Sequence, residues 1–182
     1  GQLKNQYLAK GIKILNLYKM KKILITGGGG YIGSMLSTEL ITLGHEVTVI
    51  DLLKYDKGSM DHLYFEKNFT FINGDVRDSN LIKKLILKNE FIIPMAALVG
   101  APLCEKNKKE AIETNFQSIK SILQKSNTKN KLIFLTTNSG YGIGEKNKFC
   151  DETTPLNPIS LYGQTKCDAE NEIVKFKNAI SY

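Results

Sequence analysis

The 182-residue chain has no tryptophan, a single arginine and three cysteines, and none of its apolar runs is long. Each shortage removes a class of function. Cys104, Cys150 and Cys167 are odd in number and form no Cys-x-x-Cys pair, which argues against a disulfide framework or a zinc site and suits a reducing, cytoplasmic setting. The longest apolar stretch, 91–103, is too short for a bilayer and is broken by Pro94, Gly100 and Pro102, so no membrane span is expected. The two histidines, His45 and His62, offer no metal geometry, and His45, in a helix-to-strand turn, is expected to face solvent. The net charge of +7 rests on lysine, because Arg77 is the one arginine among 25 basic residues. Scattered lysines describe a solvated surface better than a nucleic-acid reader, which leans on the planar fork of arginine. With 42% hydrophobic residues the chain can bury one sizeable core.

What is abundant is glycine in one place. Lys22-Ile-Leu-Ile-Thr-Gly-Gly-Gly-Gly-Tyr-Ile-Gly33 joins an apolar strand pattern to a tight turn and then to helical spacing over 34–43. Gly27, Gly30 and Gly33 stand three apart, as a dinucleotide-binding turn requires: the first for the bend, the second for approach of a pyrophosphate, the third for close helix packing. The phosphates would face free N–H groups at a helix N-terminus, beside Tyr31 and Ile32. Glycines alone also describe an empty flexible turn. A second signal follows in Glu46-Val-Thr-Val-Ile-Asp51, a β-branched strand ending in an acid about twenty residues past the glycines. A carboxylate there, with Leu52 after it and no arginine, suits the ribose hydroxyls of NAD and repels the 2′-phosphate of NADP.

Helices and strands then alternate. Strands are expected at 69–75, 91–95 and 131–136, and helices at 80–89, 105–126 and 161–178, which predicts a Rossmann-type, doubly wound parallel sheet. Asp75, Val76, Met95, Ala96 and Ala97 fall at strand carboxyl ends, where ligands gather in such sheets. Met20 opens the pattern, so 1–19 is expected to be an extension outside a domain covering 20–182. On a helix, Tyr162 and Lys166 share a face at i and i+4, where an ammonium can favour the phenolate and make the tyrosine a usable base; a plain surface Tyr-Lys pair has the same spacing.

Together these pieces resemble the extended short-chain dehydrogenase/reductase family, in particular its NAD-dependent nucleotide-sugar epimerases and dehydratases. The resemblance rests on the glycine turn, Asp51, Gly74-Asp75-Val76, Ala96-Ala97, Asn115, Thr137 with Tyr141-Gly142, and Tyr162 with Lys166. It implies NAD as cofactor, held by these residues including Asn115, and a nucleotide-sugar substrate met by Thr137, Asn138 and Tyr162. Tyr162 would exchange a proton with a sugar hydroxyl, Lys166 would hold the nicotinamide ribose, and Thr137 would bond the reacting oxygen. Family dehydratases carry Asp-Glu after the threonine, and decarboxylating xylose synthases a glutamate at the second position. Asn138 and Ser139 stand there, so a 4-epimerase is favoured, with a 4-ketosugar reductase or a dehydratase of the same family, or a non-catalytic dinucleotide module, as alternatives. Pro94 is expected to disturb the last ladder bond of its strand. The resemblance also implies a homodimer through helices 105–126 and 161–178, and further strands and a substrate domain beyond 182. On that reading the sheet is truncated, with strand five as its exposed edge.

Overall fold

Apolar residues on both sides of the first strands call for a sheet covered on both faces. The computed structural model describes residues 19–144, 149–151 and 153–182, so the extension expected over 1–19 lies outside the described residues except for Lys19. Six strands form one parallel sheet in the order β3-β2-β1-β4-β5-β6, with β1 at Lys22–Thr26, β2 at Glu46–Asp51, β3 at Phe69–Asn73, β4 at Phe91–Pro94, β5 at Lys131–Phe134 and β6 at Ala179–Ser181. This is the doubly wound Rossmann order.

Side chains divide by strand period between two cores. Leu24, Ile50, Ile92, Leu132 and Phe134 meet helices α2 (Ser79–Ile86), α5 (Ser118–Lys125) and α6 (Leu161–Ile173) through Ile82, Ile86, Ile119, Ile122, Ala169 and Ile173. On the other face Ile23, Ile25, Val47, Val49 and Ile93 pack with Ile41 of α1 (Tyr31–Thr42), and with Met60 and Leu63. Between β4 and β5 the expected helix 105–126 begins four residues early and is jointed. It comprises α3 (Ala101–Lys106), α4 (Lys108–Ile112), a π turn at Glu113–Gln117 and α5. Pro102 sits in the first turn, where its missing N–H costs nothing, and Asn107 leaves helical geometry at φ −126°.

The sheet is one strand wider than expected, and β5 is not its edge. Helix α6 stops at Ile173, five residues before the expected end, Phe176 turns onto the core, and Ala179–Ser181 pairs in parallel with Leu132–Phe134. The N–H groups of Leu132, Tyr182 and Thr136 complete the seam at 2.9, 2.9 and 2.7 Å. Three residues are too few to print a period of two, so Ala179–Ser181 carries no strand signal in the sequence. Pro94 leaves the ladder to β1 intact: it stands opposite Thr26, whose carbonyl accepts from the following residue, Met95 N–H at 2.9 Å, as in any parallel pair, whereas the pairing with β5 ends at Ile92 and Leu132. His45 is half-buried rather than solvent-facing, because its Nδ1 accepts from Lys21 N–H at 3.3 Å. Among the described residues no helix is long and apolar enough to cross a membrane.

The contrast between core and edge is testable. Ile173→Ala, at a fully buried site, is expected to lower unfolding free energy by about 2–5 kcal/mol in urea titrations, whereas Ile180→Ala on half-exposed β6 is expected to cost under about 1.

Candidate functional site

The bend at the end of β1 decides where a ligand can lie. Gly27 has φ +73°, and a Cβ on it would stand 2.5 Å from the backbone of Ala96. Gly33 is equally closed, since a Cβ there would meet Gly28 Cα at 2.6 Å. Gly30 is different: its Cβ would meet only the Gly27 carbonyl, at 3.4 Å, so the space above it is open. Among the described residues no side chain caps α1 at Gly30, leaving the N–H groups of its first turn directed at that space.

A cleft of about 870 Å³ opens there, at the point where the connections from β1 and β4 part. Gly27, Gly30, Tyr31, Ile32, Gly33, Asp51, Leu52, Asp75, Val76, Met95, Ala96 and Ala97, all twelve of which the sequence points to, line it. The Asp51 carboxylate is oriented by two N–H groups, from Gly29 to Oδ2 at 2.9 Å and from Leu53 to Oδ1 at 2.7 Å. Asp75 is forked by Arg77, with Nε 3.0 Å from both carboxylate oxygens and Nη2 2.6 Å from Oδ2. That fork holds the Asp75 carboxyl below the usual carboxylate range.

Asn115 does not line the cleft. It is buried in the π turn, where Oδ1 accepts from Leu98 N–H at 2.8 Å and Nδ2 donates to the Leu98 carbonyl at 2.9 Å. The amide reaches α6 as well, through Thr165 Oγ1 at 3.3 Å. Asn115 therefore fixes Leu98, which lines the cleft on one side and clusters with Cys104, Ala111 and Tyr162 on the other.

Thr137, Tyr162 and Lys166 lie at the carboxyl end of β5, outside the cleft lining but next to it. Ser160 caps α6, its Oγ accepting from Gly163 N–H at 3.1 Å. A Cβ on Gly163 would stand 2.7 Å from the Ser139 carbonyl, so glycine lets the first turn of α6 close against the 138–141 turn. That turn is capped by Thr137, whose Oγ1 accepts from Ser139 N–H at 3.3 Å, while Asn138 is exposed. Lys166 is 7% exposed; its Nζ donates to the Leu135 carbonyl at 2.6 Å and lies 3.9 Å from the Phe134 ring centroid. Burial pulls its pKa down to about 8, against a partly opposing pull from Glu170. Glu170 in turn accepts from Thr136 Oγ1 at 2.8 Å and from Ser181 Oγ at 2.6 Å, tying α6 to the ends of β5 and β6.

The model of the NAD dependent epimerase/dehydratase family matches residues 23–180. The chain belongs to that family. It is 37% identical over 125 residues to UDP-N-acetyl-alpha-D-glucosaminuronate decarboxylase of Bacillus cytotoxicus, covering 68% of this chain and 39% of that protein. It is 33% identical over 149 residues to UDP-glucose 4-epimerase of Lactobacillus helveticus, covering 80% and 44%. The solved structure of Bordetella bronchiseptica WbmG in complex with NAD superposes with a TM-score of 0.79 at 25% identity, over 90% of this chain and 52% of that one. The chain thus spans less than half the length of these two curated relatives.

NAD is the cofactor of this epimerase/dehydratase family member, and the residues present fit it: an uncapped helix start, open space over Gly30 and an oriented acid at the end of β2. Sequence reasoning missed Leu53, Lys54, Tyr55, Ser59, Arg77, Glu110 and Thr114 in the lining. The loop after β2 reads only as polar. Yet Leu53 adopts φ +49°, and Ser59 Oγ donates to the Gly29 carbonyl at 2.8 Å, latching that loop to the glycine turn. Arg77, as the chain's one arginine two residues past Asp75, was the signal to follow.

Two outcomes are expected. Gly27→Ala should destabilise the fold by more than about 2 kcal/mol in denaturant titrations, whereas Gly30→Ala should leave stability within about 0.5 kcal/mol and weaken NAD binding at least tenfold by calorimetry. For Lys166, the folded pKa of about 8 lies below the ordinary 10.5, so between those values the unfolded chain holds a proton that the folded chain has released. Unfolding free energy should therefore rise with pH through that window, by up to about 3 kcal/mol, and Lys166→Met should remove the rise.

Proposed function

We propose that the chain supplies the cofactor-binding half of an NAD-dependent nucleotide-sugar 4-epimerase. The observation that carries this is the set at the end of β5: a tyrosine and a buried lysine one helical turn apart, a threonine at the facing turn, and no carboxylate at Asn138 or Ser139. When bound, NAD would supply the acceptor and donor of a hydride at the sugar C4. Tyr162 accepts the proton of the C4 hydroxyl as the carbonyl forms, and gives it back when the other face is reduced. Lys166 places positive charge beside that phenolate, and Thr137 offers its hydroxyl to the reacting oxygen. Abstraction at C5 and loss of water would need a carboxylate base that Asn138 and Ser139 do not provide.

One observation favours a second reading. The 37% identity to a UDP-N-acetyl-alpha-D-glucosaminuronate decarboxylase makes a decarboxylating reaction on a uronate sugar the nearest rival. Against it stands Ser139, where the family pattern for decarboxylating xylose synthases has a glutamate. The same proposal carries a homodimer through the stretches 105–126 and 161–178, where Ile112 and Val174 are exposed; sedimentation of the intact protein as a monomer would count against it.

The test is Tyr162→Phe in the intact protein, assayed by following UDP-glucose and UDP-galactose interconversion. A loss of about 10²–10⁴-fold in kcat with NAD retained is expected. Unchanged turnover would remove the catalytic role, and an intact protein that binds NAD but converts no nucleotide sugar would favour a non-catalytic module.

A further inference from the structure

The cleft is more acidic than the protein that contains it. Four carboxylates line it, Asp51, Asp56, Asp75 and Glu110, while among the described residues its cations are Lys54 and Arg77, in a chain of net charge +7. A dinucleotide is an anion, so the few positive charges decide how many phosphates the cleft welcomes.

Neither cation is free. Arg77 is forked by Asp75, and its Nη1 reaches Glu113 at 3.0 Å. Lys54 is rooted in the loop that follows Asp51: Asp51 Oδ1 accepts from Leu53 N–H, and Lys54 is the next residue. Its ammonium is drawn to Glu110, 56 residues away on α4 and also in the cleft lining, with which it forms a direct ion pair. Glu110 also lies 4.0 Å from Arg77.

We infer that Glu110 is a second determinant of cofactor choice, which disfavours NADP by holding the Lys54 ammonium on the far wall, away from the position of a 2′-phosphate. Asp51 repels that phosphate, and Glu110 removes the charge that would offset the repulsion. The two devices are separate, since Asp51 acts from the end of β2 and Glu110 from a helix on the opposite side. The inference rests on the cleft being the dinucleotide site.

The experiment measures affinity of the protein for NAD, NADP, 5′-AMP and 2′,5′-ADP by calorimetry, in the wild type, Glu110→Gln, Glu110→Ala and the double variant Lys54→Met/Glu110→Gln. Glu110 is on the surface of a short helix and about a third of its side chain is exposed, so both single variants should fold. Expected is a gain of about tenfold for NADP and 2′,5′-ADP relative to NAD and 5′-AMP in either single variant, abolished by Lys54→Met. An unchanged NADP-to-NAD ratio in the single variants would overturn the inference, as would a gain that survives Lys54→Met. Wild-type protein that binds neither NAD nor 5′-AMP would overturn the placement of the dinucleotide itself, and this inference with it.

Discussion

The approach of the β1 turn to the end of β4 is the contact on which the rest depends. Gly27 lies so close to Ala96 that any side chain on it would penetrate backbone, and the two strand ends are tied there through Thr26, whose carbonyl takes Met95 N–H at 2.9 Å and whose hydroxyl takes Ala96 N–H at 3.3 Å. From this pinned pair the chain leaves toward opposite faces of the sheet, through α1 on one side and α3 on the other. The cleft is the space that divergence leaves.

A second set of contacts aligns the tyrosine-bearing helix with that cleft. Lys166 is anchored on the Leu135 carbonyl above Phe134, and Glu170 one turn later grips Thr136 and Ser181. Strand β6 therefore does more than widen the sheet, because its Ser181 helps fix the helix that carries Tyr162 and Lys166. On the cleft side, the Asn115 amide locks both backbone groups of Leu98 and reaches Thr165. Thus Leu98, shared by the cleft and the Tyr162 cluster, couples the position of the helix to the shape of the cofactor groove.

Local signals made the amino-terminal half legible. An apolar strand, glycines at fixed offsets and an acid at the next strand end are short-range patterns, and the residues they mark do line one cleft. That Tyr162 and Lys166 stand one turn apart on α6 is likewise readable from helical spacing. What stayed hidden depends on distance or brevity. Glu110 and Lys54 are 56 residues apart, and nothing in either neighbourhood announces the other. Three residues of β6 carry no period and lie just past the expected helix 161–178, so no strand is legible there and β5 reads as an edge. The family resemblance assigned Asn115 to the cofactor, but burial beside Leu98 gives it a scaffolding position that no sequence pattern distinguishes from a ligand contact.

The most direct measurement follows a deuterium label at C4 of UDP-glucose incubated with the intact protein, read by NMR of the product. Hydride removed and returned within one site predicts UDP-galactose that retains the deuterium at C4, with no net consumption of NAD. Loss of the label to solvent or to the free NAD pool, or release of carbon dioxide from a UDP-uronate with no C4 inversion, would contradict the account.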